Sequence, residues 1–139
     1  MFPDVFGPVP GGDIRAATRG LLAWHRREIL APAGLGHLPL HVTEHGWPTG
    51  PGRTPDRQAQ VLREVVDTLL DAHEALGVAA YELFSLRDAE SSGASLFHGF
   101  GIMTDRYVAK PAFDVFRDLI AQGPAAAPTA ESRLPTDCR

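Results

Sequence analysis

The 139-residue sequence contains little of what several protein classes require. Its single cysteine, Cys138, excludes an intramolecular disulfide and a thiolate-rich zinc site. No apolar run approaches the ~20 residues of a membrane span, and the first residues lack the basic and apolar regions of a signal peptide. A net charge of -4 gives no argument for nucleic acid or an anionic membrane as a partner. These absences leave the compartment open.

What is present is an alternation of helical and strand-like apolar patterns. The predicted elements are a helix from Asp13 to about residue 31, a strand over 38–43, a helix from Thr54 to Gly77, a strand over Val78–Leu86 and a helix from Lys110. Strands that alternate with long helices predict parallel pairing through right-handed crossovers.

Two strands cannot form a stable sheet with helices packed on it, and a complete TIM (β/α)8 barrel needs ~250 residues. The sequence therefore predicts an α/β fold in which residues 1–122 are the C-terminal part, about the last third, of such a barrel. Its order is helix-strand-helix-strand-helix. Residues 123–139 are rich in alanine and proline and are predicted to be a disordered tail.

The loop over 87–109 is long and rich in serine, glycine and aspartate. A long loop in a compact domain is more often functional than idle. Within it, Arg87 and Asp88 are predicted to brace each other or the loop.

One stretch, LPLHVTEHGWPTG at 38–50, offers two incompatible interpretations. His41, Glu44 and His45 match the H-x-x-E-H zinc pattern, which requires both histidines on one helix face. The neighbouring Pro39 and Gly46 leave no room for a helix, and the apolar alternation indicates a strand. On a strand the two histidines would be roughly 13 Å apart, so no metal site is predicted. The remaining interpretation is a glutamate at the C-terminal end of a parallel strand, where barrel enzymes build active sites.

Four motifs, in order, resemble a clan A glycoside hydrolase, a retaining glycosidase on a (β/α)8 barrel. The first is Thr-Glu-x-Gly-Trp around Glu44, and the second is Leu-Arg-Asp at 86–88. Phe-Gly-Ile at 100–102 and Lys-Pro-Ala-Phe at 110–113 follow. The resemblance covers roughly residues 2–122, and it implies a hydrolase of O-glycosidic bonds in which Glu44 is the catalytic nucleophile.

Retaining glycosidases need a second carboxyl group ~5–5.5 Å away as acid and base. The resemblance implies a glutamate at the end of strand four for that role, and nothing in this chain matches it. We therefore expect the chain alone to be inactive. The alternative is a non-catalytic remnant, which binds carbohydrate or a partner, or serves only as a folding fragment. Neither interpretation implies a cofactor.

Five further residues are candidates for substrate binding. Trp47 is expected either to stack on a sugar or to pack its loop against the barrel rim. His45 is expected to hydrogen-bond a sugar hydroxyl or to cap the turn. Tyr81 and Glu82 point to opposite faces of their strand by parity, so one of them is expected to reach the sugar. His98 is expected to line the cleft or to be incidental.

The expected partner is a carbohydrate substrate, with no nucleic acid and no membrane. An incomplete barrel leaves open strand edges and apolar faces. We therefore also expect self-association, or complementation with the missing part of the barrel.

Overall fold

A computed structural model describes residues 13–122 of the chain. The elements are α1 (Ile14–Trp24) with a π-helical extension (His25–Leu30), β1 (Leu40–His45), α2 (Pro55–Leu76), β2 (Val78–Leu83), a short 3-10 turn (Leu96–His98) and α3 (Pro111–Gln122). The predicted order of helix-strand-helix-strand-helix is confirmed. The first twelve residues and the predicted tail, which includes Cys138, lie outside the described residues.

The helix ends follow the chemistry of their terminal residues. The Asp13 carboxylate accepts a hydrogen bond from the Ala16 amide at 3.1 Å, and the Thr54 hydroxyl accepts one from the Arg57 amide at 3.2 Å. Each bond satisfies an amide that would otherwise lack a helical partner. Gly77 ends α2 with φ 61°, a left-handed conformation that glycine adopts without strain.

The first helix departs from the prediction in its last turns. Its span is as expected, but residues 25–30 are π-helical, and the wider turns rotate the following side chains away from the buried face. The apolar spacing of the sequence predicts Ile29 on the same helix face as Ile14 and Leu22, but Ile29 is 46% exposed. Ile14, Thr18 and Leu22 are the buried residues of α1.

The two strands pair in parallel, as predicted. β1 begins two residues later than expected, because the Leu38 amide donates to Leu35 in a turn and pairing starts where the Leu40 amide donates to Gly77. The strand also runs two residues further, to His45.

β2 ends at Leu83, three residues earlier than the prediction of Leu86. After the strand, Ser85 exchanges hydrogen bonds with Phe100 and Ile102 instead of with β1. The peptide bond between Phe84 and Ser85 is cis. The hydrogen bonds of Ser85 to Phe100 and Ile102 show that the chain has left the sheet and entered the long loop here.

The core lies between the sheet and the helices in two clusters. Cluster 1 contains Ile14, Leu22, Trp47, Val61, Val65 and Leu69, whereas cluster 2 contains Ala59, Leu62, Val66, Ile102, Ala112 and Leu119. Helix α2 contributes to both clusters, and Tyr81 packs against both. Among the described helices, none has the length and apolar character needed to cross a membrane.

Candidate active site

The carboxyl ends of β1 and β2 meet at one edge of the sheet because the strands are parallel. The loops that follow them are joined there by hydrogen bonds. The Thr49 amide donates to the Gly99 carbonyl at 2.9 Å, and the Phe84 amide donates to the His45 carbonyl at 2.8 Å. Every candidate residue except His98 lies on these strand ends or within three residues of them.

Glu44 is exposed at the end of β1, on the side of the sheet away from the helices. Leu40 and Val42 pack toward the helices, and strict alternation would turn Glu44 the same way. The pairing shifts between Val42 and His45, which leaves both Thr43 and Glu44 exposed and His45 buried. This irregularity, the β1 bulge at Thr43–Glu44, determines where the carboxylate points.

His45 and Tyr81 form a hydrogen-bonded pair on the helix side of the sheet. The His45 Nδ1 atom lies 2.9 Å from the Tyr81 hydroxyl, and His45 is only 5% exposed. Burial lowers the pKa of His45 to about 4, because the charged imidazolium would lose its hydration. The same cause raises the pKa of Tyr81 above its ordinary value. Both groups are therefore neutral at neutral pH.

Trp47 lies in cluster 1 and is 8% exposed. The Arg53 guanidinium carbon lies 4.8 Å from the centre of its ring, in a cation-π arrangement. This location matches the packing alternative for Trp47; its contact with a sugar stays a prediction.

Tyr81 and Glu82 lie on opposite faces, as parity predicted: Tyr81 packs in the core and Glu82 is exposed. Glu82 lies across from the β1 bulge, since Val42 pairs with Tyr81 and His45 pairs with Leu83. Of the two residues, Glu82 therefore shares the exposed face with Glu44.

His98 lies in the 3-10 turn of the long loop, and its Nδ1 atom is 3.2 Å from the Glu90 carboxylate. The Ala89 amide donates to the His98 carbonyl at 2.9 Å. These contacts join His98 to Ala89 and Glu90, which lie earlier in the same loop. A role for His98 in lining the cleft stays a prediction.

Two buried polar side chains, those of Gln58 and Lys110, hold the loops together. The sequence alone did not place either of them at this edge of the sheet. The Gln58 amide group on α2 donates to the Trp47 carbonyl at 2.9 Å and to the Gly101 carbonyl at 3.1 Å. The Lys110 Nζ atom donates to the Asp88 carboxylate and to the Thr49 hydroxyl, at 2.8 Å each. Both Asp88 and Lys110 stand in motifs that were noted, but their pairing spans 22 positions and has no local signature.

Arg87 and Asp88 do not brace each other. Asp88 pairs with Lys110, whereas Arg87 lies over the Tyr107 ring at 5.3 Å and donates to the Asp105 carbonyl at 3.2 Å. Both side chains hold the long loop, which is the second of the two predicted arrangements.

No metal site is formed among residues 13–122: no three His, Cys, Asp or Glu side chains are grouped to hold an ion. His41 is exposed and His45 is buried, so the two histidines of the zinc-like pattern lie on different faces.

No family model matches the chain, and no curated protein matches it either. Solved structures do match its fold. A GH2 β-galacturonidase from Eisenbergiella tayi, bound to galacturonate, has a TM-score of 0.67 and 18% identity over 89% of this chain and 23% of its own. A GH5_18 protein from Bifidobacterium longum, in complex with Manβ1-4GlcNAc, has a TM-score of 0.61 and 19% identity over 85% and 27%. A Faecalibacterium prausnitzii β-glucuronidase has a TM-score of 0.59 and 18% identity over 84% and 20%.

The chain spans about a quarter of the length of these proteins. They are TIM-barrel glycoside hydrolases, and the described residues have the fold of part of such a barrel. The predicted fold class and the resemblance to barrel glycosidases are confirmed at this level.

Proposed function

We propose that Glu44 is the nucleophile of a retaining glycoside hydrolase, to which this chain contributes two adjacent barrel strands. The observation that carries the proposal is the position of Glu44. It stands at the carboxyl end of a parallel strand and is turned by the β1 bulge onto the exposed face of the sheet. In TIM barrels this end of the strands holds the reacting groups.

In this mechanism a Glu44 carboxylate oxygen bonds to the anomeric carbon while the bond from that carbon to the leaving oxygen breaks. A second carboxyl group gives its proton to the leaving oxygen. Water then attacks the anomeric carbon, its proton passes to that same second group, and Glu44 regains its charge. We assign this acid/base to a residue outside 13–122, as the resemblance implies.

This assignment suggests a test that does not need the acid. Dinitrophenolate leaves without protonation, and azide attacks a glycosyl-enzyme without a general base. Without azide we expect no turnover by the chain alone, because the acid/base is missing. With azide, we expect it to release dinitrophenol from an activated glycoside and to form a glycosyl azide of retained configuration. Alkyl glycosides, which need the acid, should not turn over.

Dinitrophenyl β-galacturonide, β-glucuronide and β-mannoside form a suitable panel, because the matched structures include a galacturonidase, a glucuronidase and a Manβ1-4GlcNAc complex. Glu44→Gln should abolish azide product. Glu82→Gln is the matched control, because Glu82 shares the exposed face. A 2-fluoro analogue should label Glu44 in peptide mapping.

Label on Glu82 or Asp88 would contradict the assignment of the nucleophile. Sugar binding that survives Glu44→Gln, with no label on any residue, would favour the alternative of a non-catalytic carbohydrate-binding fragment.

We further propose that the open side of the sheet binds another strand-and-helix unit, by self-association or by complementation with the remainder of a barrel. Within the described residues the sheet has two strands, so the outer edge of β2 is unpaired. A groove of about 570 Å³ follows that edge and α3, and Leu86 and Ile120 stand exposed beside it. Ile120→Glu should weaken association in light scattering. A wild-type chain that stays monomeric at every concentration, and binds no added barrel segment, would contradict this.

A further inference from the structure

The β1 bulge is an irregularity of register at the position of the proposed nucleophile. Val42 pairs with Tyr81 and His45 pairs with Leu83, so the two residues Thr43 and Glu44 stand opposite the single residue Glu82. An extra residue of this kind reverses which side chains face outward beyond it. Without it, Glu44 would face the helices and His45 would face outward.

Three contacts hold His45 in the inward position. Its Nδ1 atom is hydrogen-bonded to the Tyr81 hydroxyl, and its carbonyl accepts from the Phe84 amide at 2.8 Å. The next residue is Gly46, where a Cβ atom would lie 1.9 Å from the Phe84 carbonyl oxygen. The strand end is therefore fixed by a side chain, by a backbone bond and by close packing.

Tyr81 is a firm anchor for this arrangement. Its ring packs against both clusters of the core, and its hydroxyl is directed to His45. A slip of register by one residue would expose His45 and leave the buried Tyr81 hydroxyl without this bond. Buried polar groups are rarely left unpaired, because the loss of hydration is not repaid.

We propose that the His45–Tyr81 hydrogen bond is a positioning device, which holds the β1 bulge and so turns the Glu44 carboxylate to the exposed face. Its value for catalysis rests on the proposed function, whereas its effect on Glu44 is a property of the fold. His45 and Tyr81 are thus positioning residues. They act from the opposite side of the sheet, in place of the direct sugar contacts that the sequence suggested.

The test compares three variants. Tyr81→Phe removes only the hydroxyl, and His45→Leu removes the ring nitrogens. His45→Asn is the conservative variant, because its amide nitrogen or oxygen can occupy the place of Nδ1. Tyr107→Phe and His41→Leu are matched controls at exposed positions. If His45→Leu does not fold, the result for Tyr81→Phe alone tests the proposal.

The readouts are the side-chain couplings and carboxyl carbon shift of Glu44 by NMR, and hydrogen exchange of the Phe84 amide. Tyr81→Phe and His45→Leu should average the Glu44 couplings and speed Phe84 exchange at least tenfold relative to the Ile102 amide. His45→Asn should restore both. Variants that lower stability but leave the Glu44 couplings and the relative Phe84 exchange unchanged would show ordinary core packing and overturn the proposal.

The azide reaction separates this proposal from the proposed function. If Glu44 moves in the variants but the wild type forms no azide product, positioning holds and the assignment of Glu44 as nucleophile fails. If the wild type reacts, Tyr81→Phe should lower the burst rate about tenfold without weakening sugar binding. An unchanged burst rate together with unchanged couplings would overturn positioning alone.

Discussion

The Lys110 Nζ atom lies 2.8 Å from the Asp88 carboxylate, and both side chains are almost completely removed from water. Asp88 also accepts hydrogen bonds from the Gly101 amide at 2.8 Å and the Ser91 hydroxyl at 2.9 Å. Lys110 donates to Thr49 as well. A buried ion pair is tolerated when further hydrogen bonds satisfy both charges. This pair therefore joins the loop after β1, the loop after β2 and the start of α3.

Breaking this pair from one side should be costly. Lys110→Met leaves the Asp88 carboxylate buried without its counterion, and we expect a loss of about 3–5 kcal/mol in the free energy of unfolding. The double variant Asp88→Leu/Lys110→Met should lose less than Lys110→Met alone. Urea unfolding at one fixed protein concentration measures this, since association adds to apparent stability.

The exposed pair of Asp114 and Arg117, also 2.8 Å apart, is the control. Asp114→Ala should change stability by less than about 1 kcal/mol, because solvent screens exposed charges. Equal losses from Lys110→Met and Asp114→Ala would contradict a special role for the buried pair.

Gly46 should not tolerate a side chain. A Cβ atom there would lie 1.9 Å from the Phe84 carbonyl oxygen and 2.8 Å from the Phe100 ring, so Gly46→Ala must push the two strand ends apart. We expect a loss of about 1–3 kcal/mol or more, as for other overpacked sites. Gly20→Ala is the control: it lies in α1 with nothing within 4 Å, and should be neutral or gain up to about 1 kcal/mol. An unchanged midpoint of thermal unfolding for Gly46→Ala would contradict the close contact.

The buried side chain of Gln58 should contribute strongly to the stability of the fold. Gln58→Leu removes both donors to the Trp47 and Gly101 carbonyls, and buried acceptors that lose their partners cost about 1–3 kcal/mol. Its neighbour Gln60 is exposed and bonds Glu64 at 2.8 Å along the helix surface. Gln60→Leu should therefore change stability by less than about 0.5 kcal/mol. Similar midpoints of urea unfolding for Gln58→Leu and Gln60→Leu would argue against a stabilising role for the two Gln58 hydrogen bonds.

The stability of the chain should fall in acid partly through His45. Burial lowers its folded pKa from 6.5 to about 4, so the unfolded state binds the proton first as the pH drops. The stabilisation is complete above pH 6.5, declines as the pH falls through about 4, and amounts to about 3 kcal/mol for the pKa difference. Unfolding free energies between pH 7 and 4 measure it. In His45→Asn the slope over this window should be shallower; an identical slope would assign the acid sensitivity to other groups.

Local signals predicted much of the fold. Helix α2 carries its own cap at Thr54 and its own stop at Gly77, so its bounds followed from the sequence alone. The strand at Glu44 followed from alternation and from the nearby Pro39 and Gly46. The tertiary position of Glu44 did not follow, because strict alternation turns it toward the helices and the bulge depends on a partner strand 36 residues away from His45.

Dependence on structure beyond the local sequence also explains the other residues whose positions the sequence did not predict. The pairing of Asp88 with Lys110 rather than Arg87 depends on where α3 begins relative to the long loop. The exposure of Ile29 depends on a π-helical extension that the apolar spacing does not encode.

The division of α2 between two clusters has a consequence for how the chain opens. Neighbouring positions along one helix, Val61 with Leu62 and Val65 with Val66, belong to different clusters. Neither cluster can unfold without unwinding α2, and α2 also packs in the other cluster. Amide protons along α2 should therefore exchange through one cooperative opening with nearly equal free energies.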